Sequence, residues 1–531
     1  MKRSRRLEIS LVFFVYIFLV EFVIITLNCN KESGMMNQKD KERKEQVAHI
    51  IKIPDDYRLV VDDQDGVDDP YHLLWWEHKA NEERTIRITL NRNTGSLIDF
   101  RIEDEKAFSS GEEAIEENKA REIANIFLKK YTKEGYEFYT YVTVKDDRRG
   151  WKEVNYMQEV NGYPLPNTGY VVQVHSSGNV VNFHYNGQKA IEKKPSWPSE
   201  IVEENVVLEN LKARQDMRLV FVDLTYSSCE DENGEEVKGY RLVYEPDPSH
   251  AFIKASTGKD LFGPDHYRIA STVPVVKAIK NSERKDVLDL LDWDKEKFIK
   301  VDEKEDRYEI QMRFVLEKEL QKERKEKDAY SMEAFYKKYS PILKHDNFVV
   351  ITLDKETNQL LSCLMWKDER ERKTLLSRDQ CLDKALQFLE HIIPGTTNYV
   401  QIWDNYEKED GIERFSFSIY VNDIQVEGKY IMININTENG AVMHYSGESS
   451  NFIKELLTYE TTPKVTKEKA LEIYRGAMRV HLEWFLENEV EETNYELLYK
   501  QTTDENHKES FDCSREIRYI DAHTGEKIWS K

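Results

Sequence analysis

Cysteine is scarce in this sequence, and its spacing is irregular. Five cysteines occur in 531 residues, namely Cys29, Cys229, Cys363, Cys381 and Cys513. Thiols so few and so scattered cannot supply the disulfide framework of a small secreted domain, and no CxxC pair indicates a zinc site. Cys363 and Cys381 could meet if a strand end packs against the following helix, but buried free thiols are the expected state.

Positive charge is also in short supply. The 77 Lys and Arg residues are outnumbered by 99 Asp and Glu residues, which gives a formal net charge of -22. An acidic surface repels phosphate backbones, so we predict that nucleic acid is not a partner. The content of 40% hydrophobic and 11% aromatic residues is too high for a disordered chain, and the length predicts several domains.

The motifs of common enzyme and metal sites are missing. The sequence contains no HExxH, and residues 447–451 do not complete a GxSxG elbow. Residues 256–259 and 282–285 match SxxK, and residues 523–525 are similar to the third box of penicillin-binding enzymes. No Ser-Asp-Asn box accompanies them, so we interpret 256–259 and 523–525 as hairpin turns.

The acidic residues around Gly66 do not fit a calcium-binding EF-hand, because Val61 would occupy the first ligand position. We therefore predict that the protein is not an enzyme, and that it has no catalytic, cofactor-binding or metal-binding residues.

Two aromatic features could be mistaken for sites. The pairs His184-Tyr185 and His444-Tyr445 recur near the ends of similar strands, and we interpret them as a repeated packing pair. The neighbours Trp75 and Trp76 are expected in a core or an interface rather than in a sugar-binding platform.

The sequence does contain a long apolar run at its start. Residues 9–27 are interrupted by the charge of Glu21 alone and are long enough to cross a bilayer as a helix. Four basic residues lie within the first six positions, so the positive-inside rule places the N-terminus in the cytoplasm. We predict a single-pass protein of the cell membrane, with a cytoplasmic stub (1–8), an anchor in the lipid bilayer (9–28), a charged stalk (29–69) and the bulk outside the cytoplasm. Cleavage of the anchor and lipidation of Cys29 stay open.

The remaining sequence is internally duplicated. Residues 87–100 and 350–363, at an offset of 263 (350 − 87), both have the pattern of a strand, a tight turn and a strand. An amphipathic helix with a capping box follows each hairpin, from Ser110 to Glu113 and from Ser377 to Gln380. Alternating strands come next, and a further helix and sheet close each half. The sequence therefore predicts an α+β fold of tandemly duplicated helix-plus-antiparallel-sheet modules after one N-terminal transmembrane helix.

Three features of this succession resemble the YcdB/YcdC-type repeat, a relative of the PepSY module. They are the helix start at residues 466–473, the segment 156–164 before a strand, and the Thr-Gly turns at 257–258 and 524–525. The resemblance covers most of residues 70–531, although Asp423 replaces the glycine of one Asn-Gly turn. It implies an extracytoplasmic module of the kind found in propeptides, which restrains proteases or binds peptides and has no catalytic residues or cofactors to carry over.

We predict four PepSY-like modules, at 70–190, 191–265, 347–450 and 451–531, with a linker of degenerate strands and a charged helical insertion at 266–346. The predicted function is a membrane-anchored extracytoplasmic binding or inhibitory module whose partner is a protease or an extended peptide added to a sheet edge. Two alternatives stay open, an unrecognised extracytoplasmic hydrolase and a structural cell-envelope protein.

Overall fold

The structure is a computed structural model. It describes residues 33–63, 70–103, 115–132, 138–146, 151–186, 194–225, 227–263, 276–277, 291, 295–320, 347–366, 375–392, 399–402, 411–448, 451–486, 494–504 and 515–530. These residues fall into two compact units. The first unit holds the described residues up to Trp197 together with Trp484–Glu496, and the second holds those of Pro198–Glu323, His345–Glu483 and Leu497–Lys531.

The first unit is built on one antiparallel sheet. Its elements, in chain order, are α1 (Ser33–Val47), β1 (Tyr57–Asp63), β2 (Tyr71–His78), β3 (Asn81–Asn91), β4 (Leu97–Glu103), α2 (Glu117–Tyr131), β5 (Tyr141–Asp146), β6 (Lys152–Met157), β7 (Glu159–Val160), β8 (Tyr163–Pro164), β9 (Tyr170–Val174) and β10 (Val180–Tyr185). Apart from the small β7–β8 hairpin, the strands form an eight-stranded sheet in the order β1-β2-β3-β4-β10-β9-β6-β5.

This sheet has a dry face and a wet face. Helix α2 covers the dry face, because its buried residues Ala120, Ala124 and Leu128 recur every four positions and pack with the apolar side chains of the sheet. The wet face is crossed by rows of polar cross-strand partners, such as Lys145, Glu153, Gln173, Asn182 and Arg101. The alternation along each strand produces this one-sided burial.

Residues 33–63 differ from the prediction. They were predicted to belong to a stalk, but they form α1 and β1, and β1 is the first strand of the sheet. The physical reason is their apolar content, since Val47, Ile53, Tyr57 and Leu59 are buried in the same core as α2.

The chain continues with α3 (Glu204–Arg214), β11 (Asp216–Asp223), β12 (Cys229–Glu230), β13 (Tyr240–Asp247), β14 (Phe252–Lys254), β15 (Val276–Lys277), β16 (Phe298–Glu305), β17 (Glu309–Leu316), α4 (Glu317–Leu320), β18 (Phe348–Asp354), β19 (Leu360–Trp366), α5 (Arg378–Ile392), β20 (Tyr399–Ile402), β21 (Ile412–Val421), β22 (Ile424–Asn436), β23 (Val442–Ser446), α6 (Asn451–Leu456), α7 (Lys467–Ala477), β24 (Arg479–Leu486), β25 (Tyr495–Thr502), β26 (Ile517–Asp521) and β27 (Lys527–Ser530).

Eight of these strands repeat the order of the first sheet, as β16-β17-β18-β19-β23-β22-β21-β20. We call residues 33–186 the first copy and residues 295–448 the second copy. The register also repeats, because Phe100 lies opposite Ile88 in the first copy and Cys363 lies opposite Ile351 in the second, both at the offset of 263 (363 − 100). The structure therefore confirms the internal duplication.

Two local predictions can be compared with the structure. Helix α5 begins with the predicted capping box, because Ser377 N donates to Gln380 Oε1 at 2.8 Å and Gln380 N donates to Ser377 Oγ at 3.3 Å. The first capping box, from Ser110 to Glu113, lies outside the described residues. At the substituted Asn-Gly turn, Asp423 adopts a φ of 62°, the left-handed conformation that Gly162 adopts with a φ of 81°.

Two segments follow the two copies, residues 198–263 and 451–530, and strands of one segment pair with strands of the other. Strand β13 pairs with β26, and β14 pairs with β25. Reciprocal hydrogen bonds run from Ala255 N to Leu497 O at 2.9 Å, from Ala522 N to Leu242 O at 3.0 Å, from Tyr499 Oη to Val202 O at 2.7 Å and from Tyr244 Oη to Val465 O at 2.9 Å. The two segments therefore share their sheets, because strands of each are hydrogen-bonded to strands of the other.

The predicted fold class is wrong. The structure is mostly antiparallel sheet, with 47% strand and 21% helix. Most strands lie in two sheets of eight and fourteen strands, and a single helix, α2 or α5, lies on the dry face of each repeated sheet. Part of the excess of strand comes from β1, β16 and β17, which were assigned to the stalk or the linker.

No helix in the described part of the chain is long and apolar enough to cross a membrane. The transmembrane helix of the predicted fold, residues 9–28, lies outside the described residues.

Candidate functional site

The edges of the two repeated sheets differ between the copies. An edge strand carries main-chain N–H and C=O groups that point away from its sheet and can pair with a further strand. The edges of the first copy are β1 and β5, and those of the second copy are β16 and β20.

The β1 edge is closed by side chains of α1. Lys44 Nζ donates to Tyr57 O at 2.6 Å, and Leu59 N donates to Asp40 Oδ1 at 3.1 Å. The same Asp40 oxygen accepts a hydrogen bond from Trp76 Nε1 at 3.0 Å. Main-chain groups of alternate β1 residues are thus already bonded, so β1 does not offer them to another strand.

A buried carboxylate holds α1 in this position. Asp62 of β1 has a fully buried side chain and accepts from Arg43 Nε at 2.7 Å, while Lys39 Nζ lies 3.2 Å away. On its other oxygen, His72 Nε2 lies at 2.7 Å. Burial alone would raise the pKa of Asp62, but the hydrogen bonds from His72 and Arg43 and the charges of Arg43 and Lys39 hold it well below its usual range. This Asp-His pair therefore has a structural role in fixing the helix.

The β20 edge is occupied by a strand of the same chain. Strand β15 pairs with β20 in the antiparallel direction, with Val276 opposite Gln401 and Lys277 opposite Val400. The second copy thus shows strand addition at this edge.

The β16 edge is exposed but protected. A β-bulge interrupts its pairing with β17 between Lys300 and Asp302, and five of its eight residues are charged, namely Lys300, Asp302, Glu303, Lys304 and Glu305. Bulges and edge charges are features that natural sheets use to discourage pairing. The side chains of Ile299 and Val301 are 40% and 43% exposed. Strand β16 is therefore a poor partner for a further strand.

Among the described residues, the β5 edge has no covering helix, no added strand and no β-bulge. It pairs with β6 without a bulge, residue by residue from Tyr141 to Asp146, and it is the last strand of its sheet. Val142 and Val144 pack against the dry-face core, and charge is confined to Lys145 and Asp146. Among the described residues, β5 is the regular edge that neither a helix nor a further strand covers.

The charges near β5 are unevenly placed along it. At its end, Lys152 Nζ pairs with Asp146 at 2.6 Å, and Lys145 lies opposite Glu153. Burial lowers the pKa of Lys145, and the charge of Glu153 opposes that shift. At its start, Thr140 Oγ1 donates to Glu159 Oε1 at 3.1 Å.

Glu159 is the acidic group at the start of β5. Burial raises the pKa of Tyr141, and the negative charge of Glu159 raises it further. Lys194 Nζ is also close, but it donates to the main-chain oxygen of Glu159, at 2.8 Å.

The two His-Tyr pairs are not equivalent in the structure. His184 lies opposite Asp99, whereas His444 lies opposite Leu364, the counterpart of Arg101 at the offset of 263 (364 − 101). The position equivalent to His444 is therefore Asn182, and the position equivalent to His184 is Ser446. The interpretation as a repeated packing pair was wrong, because His184 lies six residues after Gly178 whereas His444 lies only four residues after Gly440.

The environments of the two histidines differ accordingly. His184 is half-exposed, with Nδ1 3.0 Å from Asp99 Oδ1. Burial, aided by the charge of Arg414, lowers the pKa of His444 to about 4. The structure thus brings together no pair of histidines at equivalent positions.

The remaining sequence candidates have structural roles. Trp76 is completely buried in the core, and the ring of Trp75 lies 3.9 Å from the Arg87 guanidinium on the wet face. Gly258 and Gly525 have φ values of 68° and 80° in tight turns, which confirms that residues 256–259 and 523–525 are hairpin turns. Residues 282–285 and the acidic residues around Gly66 lie outside the described residues.

Three cysteines, Cys229, Cys363 and Cys381, are buried free thiols, as predicted. Burial raises the pKa of Cys363 to about 12, which makes its thiolate inaccessible at neutral pH. Cys29 and Cys513 lie outside the described residues. No group of three or more His, Cys, Asp or Glu side chains within the described part is arranged to hold a metal ion.

A further charged cluster joins strands within the second unit. Where β11 and β22 run parallel, Arg218 donates to Gln425 Oε1 at 3.0 Å and to Glu427 Oε2 at 2.7 Å, and it also pairs with Glu245. Burial raises the pKa of Glu245, and the charge of Arg218 opposes the shift. The charge of Arg518 also acts on Glu245, so two arginines offset two glutamates and the cluster connects strands.

Sequence reasoning missed the difference between the edges. The signal for β5 is present as Tyr-Val-Thr-Val at residues 141–144, a regular β-branched run with no charge until Lys145. The signal for β15 is the Val-Val-Lys of residues 275–277, which lay unrecognised in the predicted linker.

Comparison with known proteins agrees with the duplication. The model of the "YcdB, YcdC repeated domain" family matches the chain twice, over residues 40–187 and 305–449. The chain is 24% identical to YcdB of Bacillus subtilis (strain 168) over 508 residues, which cover 93% of this chain and 98% of the relative. It is also 24% identical to YcdC of the same organism over 452 residues, which cover 84% of this chain and 92% of that relative.

Among solved structures, the C-terminal domain of YpeB from Bacillus megaterium matches with 15% sequence identity and a TM-score of 0.22, covering 43% of this chain and 85% of that chain.

Proposed function

The chain belongs to the family of the YcdB, YcdC repeated domain, and from that premise we propose that it is a non-enzymatic binding protein that takes up an extended peptide as an added strand on β5. The observation that supports this proposal is the contrast between equivalent edges. In the second copy the edge strand β20 carries β15, whereas in the first copy no described strand lies beyond the equivalent strand β5.

Strand addition suits the chemistry of this edge. The main-chain hydrogen bonds of the added strand would supply affinity, and its alternate side chains would face either the dry or the wet side of the sheet. Beside the dry side lie Val142 and Val144, and beside the wet side lie Tyr141, Thr143 and Lys145. A peptide of β-branched residues therefore matches β5 in shape and polarity.

The probe for this proposal is a labelled peptide with the sequence of residues 272–279, Thr-Val-Pro-Val-Val-Lys-Ala-Ile, which includes β15. We expect saturable binding to the full chain by fluorescence polarisation. N-methylation of alternate amides should abolish binding in one register and spare it in the other, because only one set of amides faces β5. Equal binding of both methylated peptides would contradict strand addition.

Proline variants locate the peptide. Thr143→Pro in β5 should weaken binding by about tenfold or more, because proline distorts an edge and removes a donor. The matched control is Val301→Pro in the other exposed edge, β16, which should leave binding unchanged. Equal losses in the two variants would show that β5 is not the site. Circular dichroism of both variants checks that the sheets are retained.

We also propose that this binding takes place outside the cytoplasm. The support is the sequence of residues 1–28, in which basic residues precede an apolar run. Digestion of intact protoplasts with an external protease should cleave the bulk of the chain. Full protection of the chain would contradict this location.

A further inference from the structure

The second copy gives a register for the strand that β5 would accept. Val172 and Ile433 are equivalent, because they lie opposite the matching residues Phe183 and Tyr445. Val154 pairs with Val172 and Phe415 pairs with Ile433, so Tyr156 of β6 and Phe417 of β21, two residues further on, are equivalent as well. Val142 lies opposite Tyr156, and Ile402 lies opposite Phe417. The offset between β5 and β20 is therefore 260 (402 − 142), so Gln401 corresponds to Tyr141 and Val400 corresponds to Thr140.

The pairing of β15 with β20 can be transferred to β5, and it then gives positions for the counterparts of Val276 and Lys277. In the second copy Val276 lies opposite Gln401 and Lys277 lies opposite Val400. A strand with the sequence of β15, added to β5 in the same register, would place its valine opposite Tyr141 and its lysine opposite Thr140, the residue before β5. The direction of the added strand would be antiparallel to β5, as it is for β15 on β20.

The lysine of such a strand would meet a carboxylate. Thr140 Oγ1 donates to Glu159 Oε1 at 3.1 Å, so this carboxylate lies beside the position that the added lysine would take. Glu159 is held by the β7–β8 hairpin, whose turn at Asn161 and Gly162 is fixed by positive φ values of 53° and 81°. The carboxylate is thus carried on a turn of defined shape.

From this geometry we infer that the peptide bound on β5 is a basic, β-branched segment that runs antiparallel to β5 and places a lysine or arginine beside Glu159. This inference rests on the proposed function, since it names the class of peptide that the same edge accepts. The excess of acidic residues over the whole chain, 99 against 77, favours a basic partner as well.

Glu159 acts here as a specificity residue. Its carboxylate would attract a cationic side chain and repel an anionic one, at a partly exposed position where each effect is modest. The main-chain bonds along β5 are independent of this charge. Loss of the charge should therefore change which peptide binds best, without abolishing strand addition.

The test is a charge exchange between protein and peptide. The Lys probe has the sequence of residues 272–279, and the Glu probe has glutamate in place of its lysine. On the unsubstituted full chain the Lys probe should bind about fivefold more tightly than the Glu probe. The variant Glu159→Gln should remove that preference, and Glu159→Lys should reverse it.

A matched control is Glu153→Gln, which removes a carboxylate opposite the other end of β5. We expect it to change the preference less than Glu159→Gln does. If both probes bind equally to the unsubstituted chain and to Glu159→Lys, the inference on charge is overturned while strand addition on β5 stands. If neither probe binds any of these proteins, both the inference and the proposed function are contradicted.

Discussion

The first and second copies have the same strand order and different edges. Both sheets contain eight strands in one succession, with a helix on the dry face. In the first copy α1 closes β1 and no described strand lies beyond β5, whereas in the second copy β15 occupies β20 and β16 is exposed. The repeated pattern of side chains determines the sheet, but short flanking segments determine which edge is open. In this molecule, therefore, the difference between the copies has its origin outside the repeated pattern.

The largest expected effect tests whether the two cores are equivalent. Phe183 and Tyr445 occupy matching positions, opposite Phe100 and Cys363, and are almost completely buried. Each change to alanine should lower the free energy of unfolding by about 3–5 kcal/mol, because a large cavity forms.

Urea unfolding measures this loss, and the matched controls are His184→Ala and Ser446→Ala, which lie at the next matching position. Each control should cost about 0.5 kcal/mol or less. If His184→Ala were as destabilising as Phe183→Ala, the register that relates the two copies would be wrong.

The next effect concerns the helix that distinguishes the first copy. Asp62→Asn would leave Arg43 and Lys39 without their buried anion and should lower the free energy of unfolding by about 3 kcal/mol. Amide hydrogen exchange should then increase in α1 and β1, because the edge is no longer held closed. The position that pairs similarly in the second copy, Glu303 of β16, serves as a control, since Glu303→Gln removes only an exposed charge. Unchanged exchange in α1 would contradict the role assigned to Asp62.

A smaller expected effect is the pH dependence of stability that His444 gives to the second copy. Burial lowers the pKa of His444 to about 4, whereas an unfolded histidine has a pKa of about 6.5. The folded state then resists protonation, so its contribution to stability is present above pH 6.5 and is lost as the pH falls towards 4. His444→Asn, which introduces the residue of the matching position Asn182, should reduce this dependence. Urea unfolding at pH 7 and pH 4.5 measures it, and parallel curves for the two proteins would contradict the assignment.

The smallest expected effect comes from removing β15, which should leave the β20 edge of the second copy as open as the β5 edge of the first. A chain with Val276→Pro and Lys277→Pro loses the donors of β15 and should free the β20 edge. Calorimetric titration with the Lys probe should then reveal a second, weaker binding event. If only one binding event is seen, the freed β20 edge does not bind the peptide as β5 does.

Much of the repeated sheet could be predicted from the sequence. The alternation in β9, β10 and β22 and the turns at Gly95 and Asn358 carry local signals, and they led to the duplication. Strand β1 was missed because it follows a charged segment. Strand β16 is itself mostly charged and fell in the predicted linker of degenerate strands, so it was not assigned to a repeated sheet. The exchange between β13 and β26 had no signal, because main-chain pairing between distant segments leaves no mark in either one.

The edge was less predictable than the sheet. Whether β5 ends its sheet depends on where α1 and β15 lie, and those positions are set by contacts such as Lys44 with Tyr57. The histidine pairs were misleading because the same dipeptide begins six residues after Gly178 and four residues after Gly440, so His184 and His444 occupy different positions in equivalent strands. Sequence similarity identified the repeat, but only the pairing of strands in the structure showed which residues of the two copies are equivalent.

The most direct test is hydrogen–deuterium exchange of the full chain with and without the Lys probe. Strand addition on β5 predicts slower exchange confined to residues 141–146 and the adjacent β7–β8 hairpin, with β16 unchanged. Protection of β16 instead of β5, or no protection at saturating peptide, would contradict the proposal that the open edge of the first copy is the binding site.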